Sequence, residues 1–410
     1  MNVKKRGSAK ELEVFLKKSY EKYSGVGEIL NFFDSSLEDR LMPKEKIWLY
    51  VNEVMDTPWA FNYSNPQGGE GLRTKLADWY LNSEKLKGNF MITSGAQEAL
   101  VVIIQYLSKL IGKKLKVGVE EFSYIGFRHI LEEWGSEMRF LKLTSEGLEM
   151  DILERELKKG LDLVYLIPDL QNPTGVVYSE ENRKRIAELQ QKYNFWLILD
   201  LSYRDLFFNE ADKPSIQMFN HERTFLVGSF SKTVFPALRI GWLYMPKIDN
   251  KLLLVRRSID LFQPTFLQLA MEKYLVNDYA DHLRIVRSIM VNKKDQLIRA
   301  LKENGFDNSF RWSDVLGGYY LWLRRIDGKN CETEINRWVK DGVVVASGVF
   351  FNPNAGANDI RLCFSRLSLK QIREAVERMS GGKNRRKRNL STFFLEILAN
   401  GKTWFNSKND

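Results

Sequence analysis

A lysine lies where an apolar run gives way to small hydroxyl residues. The segment GSFSK covers residues 228–232, so that Ser229 and Ser231 precede Lys232, and Arg239 follows shortly afterwards. Two hydroxyl groups, an amine and a guanidinium within one short span could surround a phosphate group and hold an imine nitrogen beside it. A lysine used covalently needs a lowered pKa, and an aldehyde condensed with it supplies an electron sink. Taken alone, a lysine at a strand end is more often a solvated surface residue.

Two further apolar runs also end in polar side chains. The turn QNPTG, residues 171–175, follows the run LVYLIP, and its Asn172 could direct an amide at a ligand, although Asn-Pro and Thr-Gly are also common turn dipeptides. Asp200 ends the run WLILD, where a carboxylate must be paired or solvated. It could cap a helix, or serve as the counter-ion of a protonated ring nitrogen while Tyr203 donates a hydrogen bond to a ring oxygen.

Two more segments carry groups suited to anions. TSGAQEAL, residues 93–100, places Gly95, Ala96 and Gln97 where a short strand passes into a helix, and free backbone N–H groups at a helix start bind phosphate. Arg361 lies in the strand-like segment IRLCFS, where a guanidinium suits bidentate capture of a carboxylate. Alone, the first segment is also simply a good helix start and the second a surface salt bridge.

Alternating strand-like and helix-like segments must position these residues. A strand-like pattern occurs at KLKVGVE (114–120), LDLVYLI (161–167), FWLILD (195–200), TFLVGSF (224–230) and RIGWLYM (239–245). Helical spacing of apolar residues predicts helices at 95–110 and 180–193. Strands that alternate with helices predict an α/β fold with a mostly parallel sheet between helices, and such sheets bind ligands at the carboxyl ends of their strands.

The pattern changes after about residue 265. We expect a long helical stretch at 266–304. Strands are expected at 319–324, 343–347 and 360–365, and helices at 331–341 and 368–379. These elements predict a smaller α+β domain. We therefore expect an N-terminal arm with part of the small domain at 1–50 and a large cofactor domain at 51–283. A small C-terminal domain is expected at 284–382, followed by a basic, amphipathic tail at 383–410.

The composition is ordinary for a soluble globular enzyme, and the two cysteines without an export signal lead us to expect a reducing cytoplasm. The 410 residues are 44% hydrophobic and 28% charged, and the basic N-terminus lacks the apolar segment of a secretory signal. The net charge of +10 owes much to basic residues near both ends, so solvated tails are favoured over binding to nucleic acid or a membrane. Cys331 and Cys363 are expected to be buried thiols, and the three scattered histidines predict no metal site.

Together and in this order, the motifs resemble the fold-type I pyridoxal-phosphate enzymes, and among them the class I and II aminotransferases. They look most similar to the branch with the α-aminoadipate aminotransferases and the aminotransferase-like domains of MocR-type regulators. The resemblance runs from about residue 28 to about residue 380. It is also carried by FNYSNPQGGEGLR (61–73), VEEFSYIGF (119–127), LDLSYRDLFF (199–208) and GGYYLWL (317–323). It implies an aminotransferase that uses pyridoxal 5'-phosphate, an L-amino acid and a 2-oxo acid.

The resemblance implies roles for the residues around the cofactor ring. Lys232 would bind the cofactor as an aldimine and shuttle the proton of the reaction. Asp200 would pair the pyridine nitrogen. Asn172 and Tyr203 would hold the ring hydroxyl oxygen, and Tyr124 would stack on the ring face.

The resemblance also implies the contacts of the phosphate and the substrate. The phosphate would be surrounded by Gly95, Ala96, Gln97, Ser229, Ser231 and Arg239. Tyr63 would reach the phosphate of a neighbouring subunit, which implies a homodimer. Arg361 would bind the α-carboxylate of the substrate, and Asn172 would also bind the substrate.

One departure from the family pattern bears on the substrate. Where relatives carry a glycine pair that lines the substrate pocket, this chain has Asp34 and Ser35. A carboxylate there would repel an acidic substrate side chain or attract a basic one, unless Arg40 or another cation neutralises it. Phe32, Phe33 and Tyr63 would then offer an apolar wall. Leucines flank Asp200 where relatives have acidic residues, but the ring-pairing aspartate itself is kept.

Two other functions stay open at this point. A lyase, decarboxylase or cyclase on the same fold shares nearly all of these motifs. A non-catalytic regulator of the MocR type would carry a DNA-binding domain before the aminotransferase-like part, whereas only about 28 residues precede the matching region here. The sequence favours the aminotransferase.

Overall fold

A computed structural model describes residues 29–381, which form two compact units. The larger unit comprises residues 36–291 and 315–318, and the smaller comprises 29–35, 292–314 and 319–381. The division expected at residue 283 and the one observed at residue 291 both fall within the helix Tyr279–Glu303. The first 28 residues of the expected arm and the expected tail, 383–410, lie outside the described residues.

The strands of the described residues are short and numerous. They are β1 (Leu30–Asn31), β2 (Phe90–Thr93), β3 (Lys116–Glu120), β4 (Glu137–Leu141), β5 (Leu143–Thr144), β6 (Gly147–Leu148), β7 (Leu163–Leu166), β8 (Trp196–Asp200), β9 (Thr224–Ser229), β10 (Gly241–Tyr244), β11 (Phe310–Arg311), β12 (Tyr320–Arg325), β13 (Val343–Val344), β14 (Ala346–Ser347) and β15 (Asp359–Cys363).

The helices alternate with the strands of the larger unit. They are α1 (Lys44–Val54), α2 (Glu70–Leu81), α3 (Gly95–Ile111), α4 (Ile125–Glu133), α5 (Met150–Lys158), α6 (Glu180–Tyr193), α7 (Asn250–Ile259), α8 (Thr265–Asn277), α9 (Tyr279–Glu303), α10 (Glu332–Lys340), α11 (Gly348–Phe351) and α12 (Leu369–Met379). Short 3-10 helices lie at Asp39–Leu41, Glu84–Asn89, Arg204–Leu206, Glu210–Asp212, Gln217–Phe219, Pro236–Leu238 and Phe306–Asn308. Among residues 29–381, no helix combines the length and the apolar character needed to cross a membrane.

The larger unit is built on a seven-stranded sheet with the order β2-β10-β9-β8-β7-β3-β4. Its pairs are parallel except those of β10, which runs antiparallel to both β2 and β9. Every residue of β7, β8 and β9 is buried, as expected of central strands covered on both faces. The predicted α/β fold with a mostly parallel sheet is confirmed. The carboxyl ends of β7, β8 and β9 therefore meet at one edge of the sheet.

The long helical stretch expected at 266–304 is interrupted. Helix α8 ends before Asp278, and α9 begins directly after it. The Asp278 carboxylate accepts a hydrogen bond from the Tyr50 hydroxyl and lies 2.9 Å from the Lys46 ammonium, so α1 holds the junction. The apolar pattern continues across the junction because both helices bury one face, and the pattern alone therefore does not mark the break.

The smaller unit contains an antiparallel sheet with the order β11-β12-β15-β14 and a parallel pair, β1 with β13. Helix α12 begins with a capping box in which Ser368 and Gln371 bind each other's backbone N–H groups. The amine of Lys293 is buried and donates to the carbonyl of Ser365 at 2.6 Å. Cys331 and Cys363 are both buried thiols.

Candidate active site

Three of the residues expected at the site lie at or just after the ends of three neighbouring strands. Asn172 follows β7, Asp200 ends β8 and Lys232 follows β9, and in the register of the last two strands Asp200 lies opposite Val227. The amine of Lys232 lies 5.7 Å from the centre of the Tyr203 ring, and Tyr203 is buried. The parallel sheet thus brings an amine, a carboxylate, an amide and a phenol to one edge.

The carboxylate of Asp200 is almost fully buried, with 5% of the residue exposed. Its Oδ2 accepts a hydrogen bond from the Tyr165 hydroxyl at 2.8 Å, and its Oδ1 accepts one from the Ser202 N–H at 2.9 Å. Burial raises the pKa of Asp200, against the opposing effects of Ser202, Tyr165 and the charge of Lys232. A buried carboxylate in this position gains stability from a cationic ring nitrogen, which would replace the lost solvation.

The start of α3 offers donors to an anion. The preceding residue, Ser94, makes no side-chain cap, so the first-turn N–H groups of Gly95, Ala96 and Gln97 lack a capping side chain. The guanidinium of Arg239 donates to the Ser94 carbonyl. A Cβ on Gly95, whose φ is +75°, would lie 3.0 Å from Arg239 Nη2, so the guanidinium crosses directly over this turn.

The hydroxyl groups of the GSFSK segment are brought to the same turn by strand pairing. In β10, Gly241 lies opposite Ser229 of β9 and opposite Thr93 of β2. A Cβ on Gly241 would lie 2.6 Å from the backbone of Gly95, so this close approach requires glycine. The Ser229 hydroxyl donates to the Ser231 hydroxyl at 2.8 Å. Hydroxyls, free N–H groups and a guanidinium form a donor set that fits a phosphate.

Tyr124 bonds to Gln97 and is close enough to Asp200 and Arg239 to be affected by their charges. Its hydroxyl donates to Gln97 Oε1 at 3.0 Å, and burial raises the pKa of Tyr124 to about 12, with the charge of Asp200 adding to the effect. A Cβ on Gly126 would lie 2.5 Å from the Tyr124 ring, so the glycine leaves room for the ring beside the backbone. The phenol is held protonated, with its ring available for stacking.

The sequence analysis missed a buried acid behind these loops. Glu120 ends β3 and is fully buried, and its two oxygens accept from Ile167 N–H at 2.9 Å, Tyr178 hydroxyl at 2.7 Å, Gln171 amide at 2.8 Å and Ser123 hydroxyl at 3.3 Å. Burial raises the pKa of Glu120 to about 7, although these four donors lower it. The only sequence signal was an acid directly after an apolar strand, which also describes a solvated strand end.

Glu120 joins two loops that carry site residues. The Gln171 amide that donates to Glu120 also donates to the Phe122 carbonyl at 2.6 Å, and its oxygen accepts from the N–H and the hydroxyl of Thr174. The loop that carries Asn172, whose peptide bond to Pro173 is cis, is thereby tied to the segment that leads into Tyr124.

A buried ion-pair cluster supports the same edge of the sheet. The carboxylate of Asp169 lies 2.5 Å from a guanidinium nitrogen of Arg183 in α6 and 2.5 Å from one of Arg204, which follows β8. Burial alone would raise the pKa of Asp169, but the two arginines outweigh it and hold the pKa below its ordinary value. The segments that follow β7 and β8 are therefore linked by a buried ion pair, and breaking such a pair is costly.

Tyr63 is the most exposed large hydrophobic residue of the larger unit, with 84% of its surface accessible. Its ring contacts Phe262 edge-on, with centroids 5.2 Å apart. Other large apolar residues close to it in sequence are also exposed: Trp48, Leu49, Met55, Trp59 and Phe61. Exposed large apolar residues that form one contiguous patch are typical of interaction surfaces.

In the smaller unit, Arg361 is buried on β15 between two aromatic rings. Its guanidinium lies 4.5 Å from the centre of the Tyr320 ring and 4.9 Å from that of Phe351, and Nη2 donates to the Phe33 carbonyl at 2.6 Å. The rings and the carbonyl fix the plane of the guanidinium, which is what bidentate binding of a carboxylate requires.

Asp34 is held by its neighbours in the smaller unit. The side-chain oxygen of Asn31 accepts from the N–H groups of Phe33 and Asp34, which forms the turn after β1. The Asp34 carboxylate lies 2.5 Å from the guanidinium of Arg366. The other cation considered for this pairing, Arg40, pairs with Glu38 instead. Phe32 is fully buried in the core, so it offers no wall to a substrate.

The chain belongs to the family of class I and II aminotransferases, whose family model matches residues 36–379. It is a pyridoxal-phosphate-dependent enzyme that transfers an amino group between an amino acid and a 2-oxo acid. The expected family, reaction and cofactor are thereby confirmed.

The proteins similar to this chain include two aminotransferases and a transcriptional regulator. Aromatic-amino-acid aminotransferase 1 of Thermococcus litoralis is 30% identical over 353 residues, which are 82% of this chain and 84% of that protein. The uncharacterized HTH-type transcriptional regulator YisV of Bacillus subtilis is 29% identical over 357 residues, 85% of this chain and 72% of the regulator. The crystal structure of LysN, the α-aminoadipate aminotransferase of Thermus thermophilus, complexed with N-(5'-phosphopyridoxyl)-L-leucine, superimposes with a TM-score of 0.78 at 27% identity, covering 86% of this chain and 91% of that one.

The buried acid predicts a pH-dependent stability. Because the pKa of Glu120 is raised from 4.5 to about 7, the folded protein holds this proton more tightly than the unfolded chain does. The resulting stabilisation is complete below the unfolded pKa and is lost as the pH rises through the folded pKa. Glu120→Gln mimics the protonated form at every pH. The free energy of unfolding of Glu120→Gln minus that of wild type should therefore increase by up to about 3 kcal/mol from about pH 5 to about pH 8, measured by urea unfolding. Parallel profiles for the two proteins would contradict this.

Proposed function

We propose that Lys232 is the lysine that binds the cofactor covalently and that Asp200 pairs with its ring nitrogen. The observation that carries this proposal is the meeting of a reactive amine and a buried carboxylate at the ends of adjacent parallel strands, beside a donor set suited to phosphate. When bound, the cofactor supplies the electron sink that the side chains lack. The Lys232 amine would move the proton of the substrate α-carbon, since the other proposed site residues offer no amine.

We propose that the remaining site residues orient the ring and the phosphate. Asn172 and Tyr203 hold the ring hydroxyl oxygen, and Tyr124 stacks on the ring face, which its buried, protonated phenol supports. The phosphate is bound by the first turn of α3, the two hydroxyls and the guanidinium, which are contributed by Gly95, Ala96, Gln97, Ser229, Ser231 and Arg239.

For the substrate, we propose that Arg361 binds the α-carboxylate, supported by its fixed guanidinium plane. Asn172 is the second residue that we propose for substrate binding. The expected repulsion of acidic side chains by Asp34 required an unneutralised carboxylate. With Arg366 2.5 Å away, the pair carries no net charge, and we no longer expect Asp34 alone to exclude such substrates.

We propose further that the enzyme is a cytoplasmic homodimer in which Tyr63 reaches the phosphate of the neighbouring subunit. The exposed apolar residues between Trp48 and Tyr63 support this, because apolar surface of that kind is covered in stable assemblies. The two buried thiols fit a reducing compartment.

Borohydride reduction tests the lysine assignment. Reduction of the purified yellow protein should fix the cofactor on Lys232, and peptide mapping identifies the labelled lysine. Lys232→Ala should lose turnover by several orders of magnitude, because the covalent link and the proton carrier are both removed. The exposed Lys247, changed to Ala, serves as the control and should leave labelling and turnover unchanged. A label on any lysine other than Lys232 contradicts the assignment.

Subunit mixing tests the shared site. Tyr63→Ala and Lys232→Ala are each expected to be inactive, but a mixed dimer would hold one intact site. Equal mixing should therefore restore about a quarter of wild-type activity. A mixture of Lys232→Ala with Asp200→Asn is the matched control, because both residues come from one chain and no intact site can form. If the first mixture recovers no more activity than the second after confirmed exchange, each site is self-contained.

A further inference from the structure

A phenol that the assignments above leave unexplained lies next to Asp200. Tyr165 is on β7 and is fully buried, opposite Ile198 of β8 and Val119 of β3. Its ring stacks on Phe127 with centroids 4.1 Å apart, and its hydroxyl donates to Asp200 Oδ2 at 2.8 Å. The stacking on Phe127 uses only the ring of Tyr165. The hydroxyl of Tyr165 instead serves to hydrogen-bond the Asp200 carboxylate.

Toward the Asp200 carboxylate the hydroxyl is the donor. Burial first, and then the charge of Asp200, raises the pKa of Tyr165 well above its ordinary value, so the phenol stays protonated. A buried hydroxyl without a partner is costly, and a hydrogen bond to a charged acceptor is among the stronger ones. The Ser202 N–H already donates to the other carboxylate oxygen, so it does not replace Tyr165.

We propose that Tyr165 is a positioning residue, whose phenol fixes the Asp200 carboxylate and keeps it ionised so that it supports a protonated ring nitrogen. The inference rests on the proposed pairing of Asp200 with the cofactor. Burial favours the neutral form of Asp200, which binds a cationic nitrogen poorly, and a directed donor opposes that tendency.

The charged and titratable groups around this pair come from several elements. Lys232, after β9, lowers the pKa of Asp200, while Glu120, at the end of β3, and Tyr124, before α4, both raise that of Tyr165. The phenol of Tyr165 donates to Oδ2 of the Asp200 carboxylate, and the Ser202 N–H donates to Oδ1.

The test compares holoenzymes that differ by one hydroxyl. Tyr165→Phe keeps the ring and its stacking partner. The matched control is Tyr106→Phe in α3. This change also removes a hydroxyl from a buried ring, here one that donates to the Asp249 carboxylate at 3.0 Å and not to a site residue. Both proteins are titrated with pyridoxal 5'-phosphate, and the absorbance of the bound cofactor is followed against pH. Asp200→Asn is measured alongside.

Tyr165→Phe should weaken cofactor binding about tenfold, and the pH midpoint of the absorbance change should rise by about one unit. The midpoint rises because a weaker positive charge on the ring opposes the proton on the Schiff-base nitrogen of Lys232 less strongly. Asp200→Asn should move both quantities in the same direction and further, while Tyr106→Phe should move neither. A fluorinated tyrosine at position 165, a stronger donor in an unchanged fold, should lower the midpoint.

The outcomes separate this inference from the proposal on which it rests. If Asp200→Asn behaves as wild type, the pairing of Asp200 with the ring nitrogen is wrong. If Asp200→Asn shifts the midpoint but Tyr165→Phe and the fluorinated tyrosine do not, the pairing stands and the role of Tyr165 is overturned. A midpoint shift in Tyr106→Phe equal to that in Tyr165→Phe would also overturn it, because any lost hydroxyl would then suffice.

Discussion

The structure of the site depends on one buried negative charge at the end of an apolar strand. Four apolar residues of β8 bring Asp200 into an interior where its own pKa rises. Such a charge is tolerated only when donors and a cation compensate its lost solvation. Tyr165 and Ser202 supply the donors, Lys232 contributes a charge, and the proposed ring nitrogen would complete the set. The carboxylate thus favours the cofactor state in which the ring withdraws electrons.

Strand order determines which groups meet around that charge. The parallel strands β7, β8 and β9 end at one edge of the sheet, where Asn172, Asp200 and Lys232 lie. The antiparallel β10 then returns beside β2, and its Gly241 allows the backbone of Gly95 to come close. A ring site and a phosphate site are in this way placed side by side by a single sheet. Behind them, the Glu120 and Asp169 clusters hold the loops from the interior.

Much of this arrangement could be predicted from the sequence. The central strands were predicted because buried parallel strands are continuous apolar runs, and the polar residues that end them were recognised as a set by their order. Family membership, fold and cofactor are confirmed by the comparisons. The roles of individual residues, such as Lys232 and Asp200, stay predictions that the geometry supports.

Other features were out of reach because they depend on contacts between distant segments. Tyr165 lies inside an apolar run and there resembles any core aromatic residue, and only the fold shows that its hydroxyl meets Asp200. The partner of Asp34 is Arg366, near the other end of the described chain, whereas the sequence suggested the nearby Arg40. At the break between α8 and α9, Asp278 accepts a hydrogen bond from the Tyr50 hydroxyl of α1. Each case requires a tertiary contact that local spacing does not encode.

The most direct measurement of the central claim is the single-turnover reaction of the holoenzyme with L-amino acids. Wild type should form one 2-oxo acid per site, and Asp200→Asn, loaded with the same cofactor, should react about a hundredfold more slowly or worse, because the buried charge pair is lost. Rapid-mixing absorbance and product analysis give both quantities. An Asp200→Asn rate equal to that of wild type, or an amine and carbon dioxide as the wild-type products, would contradict the account.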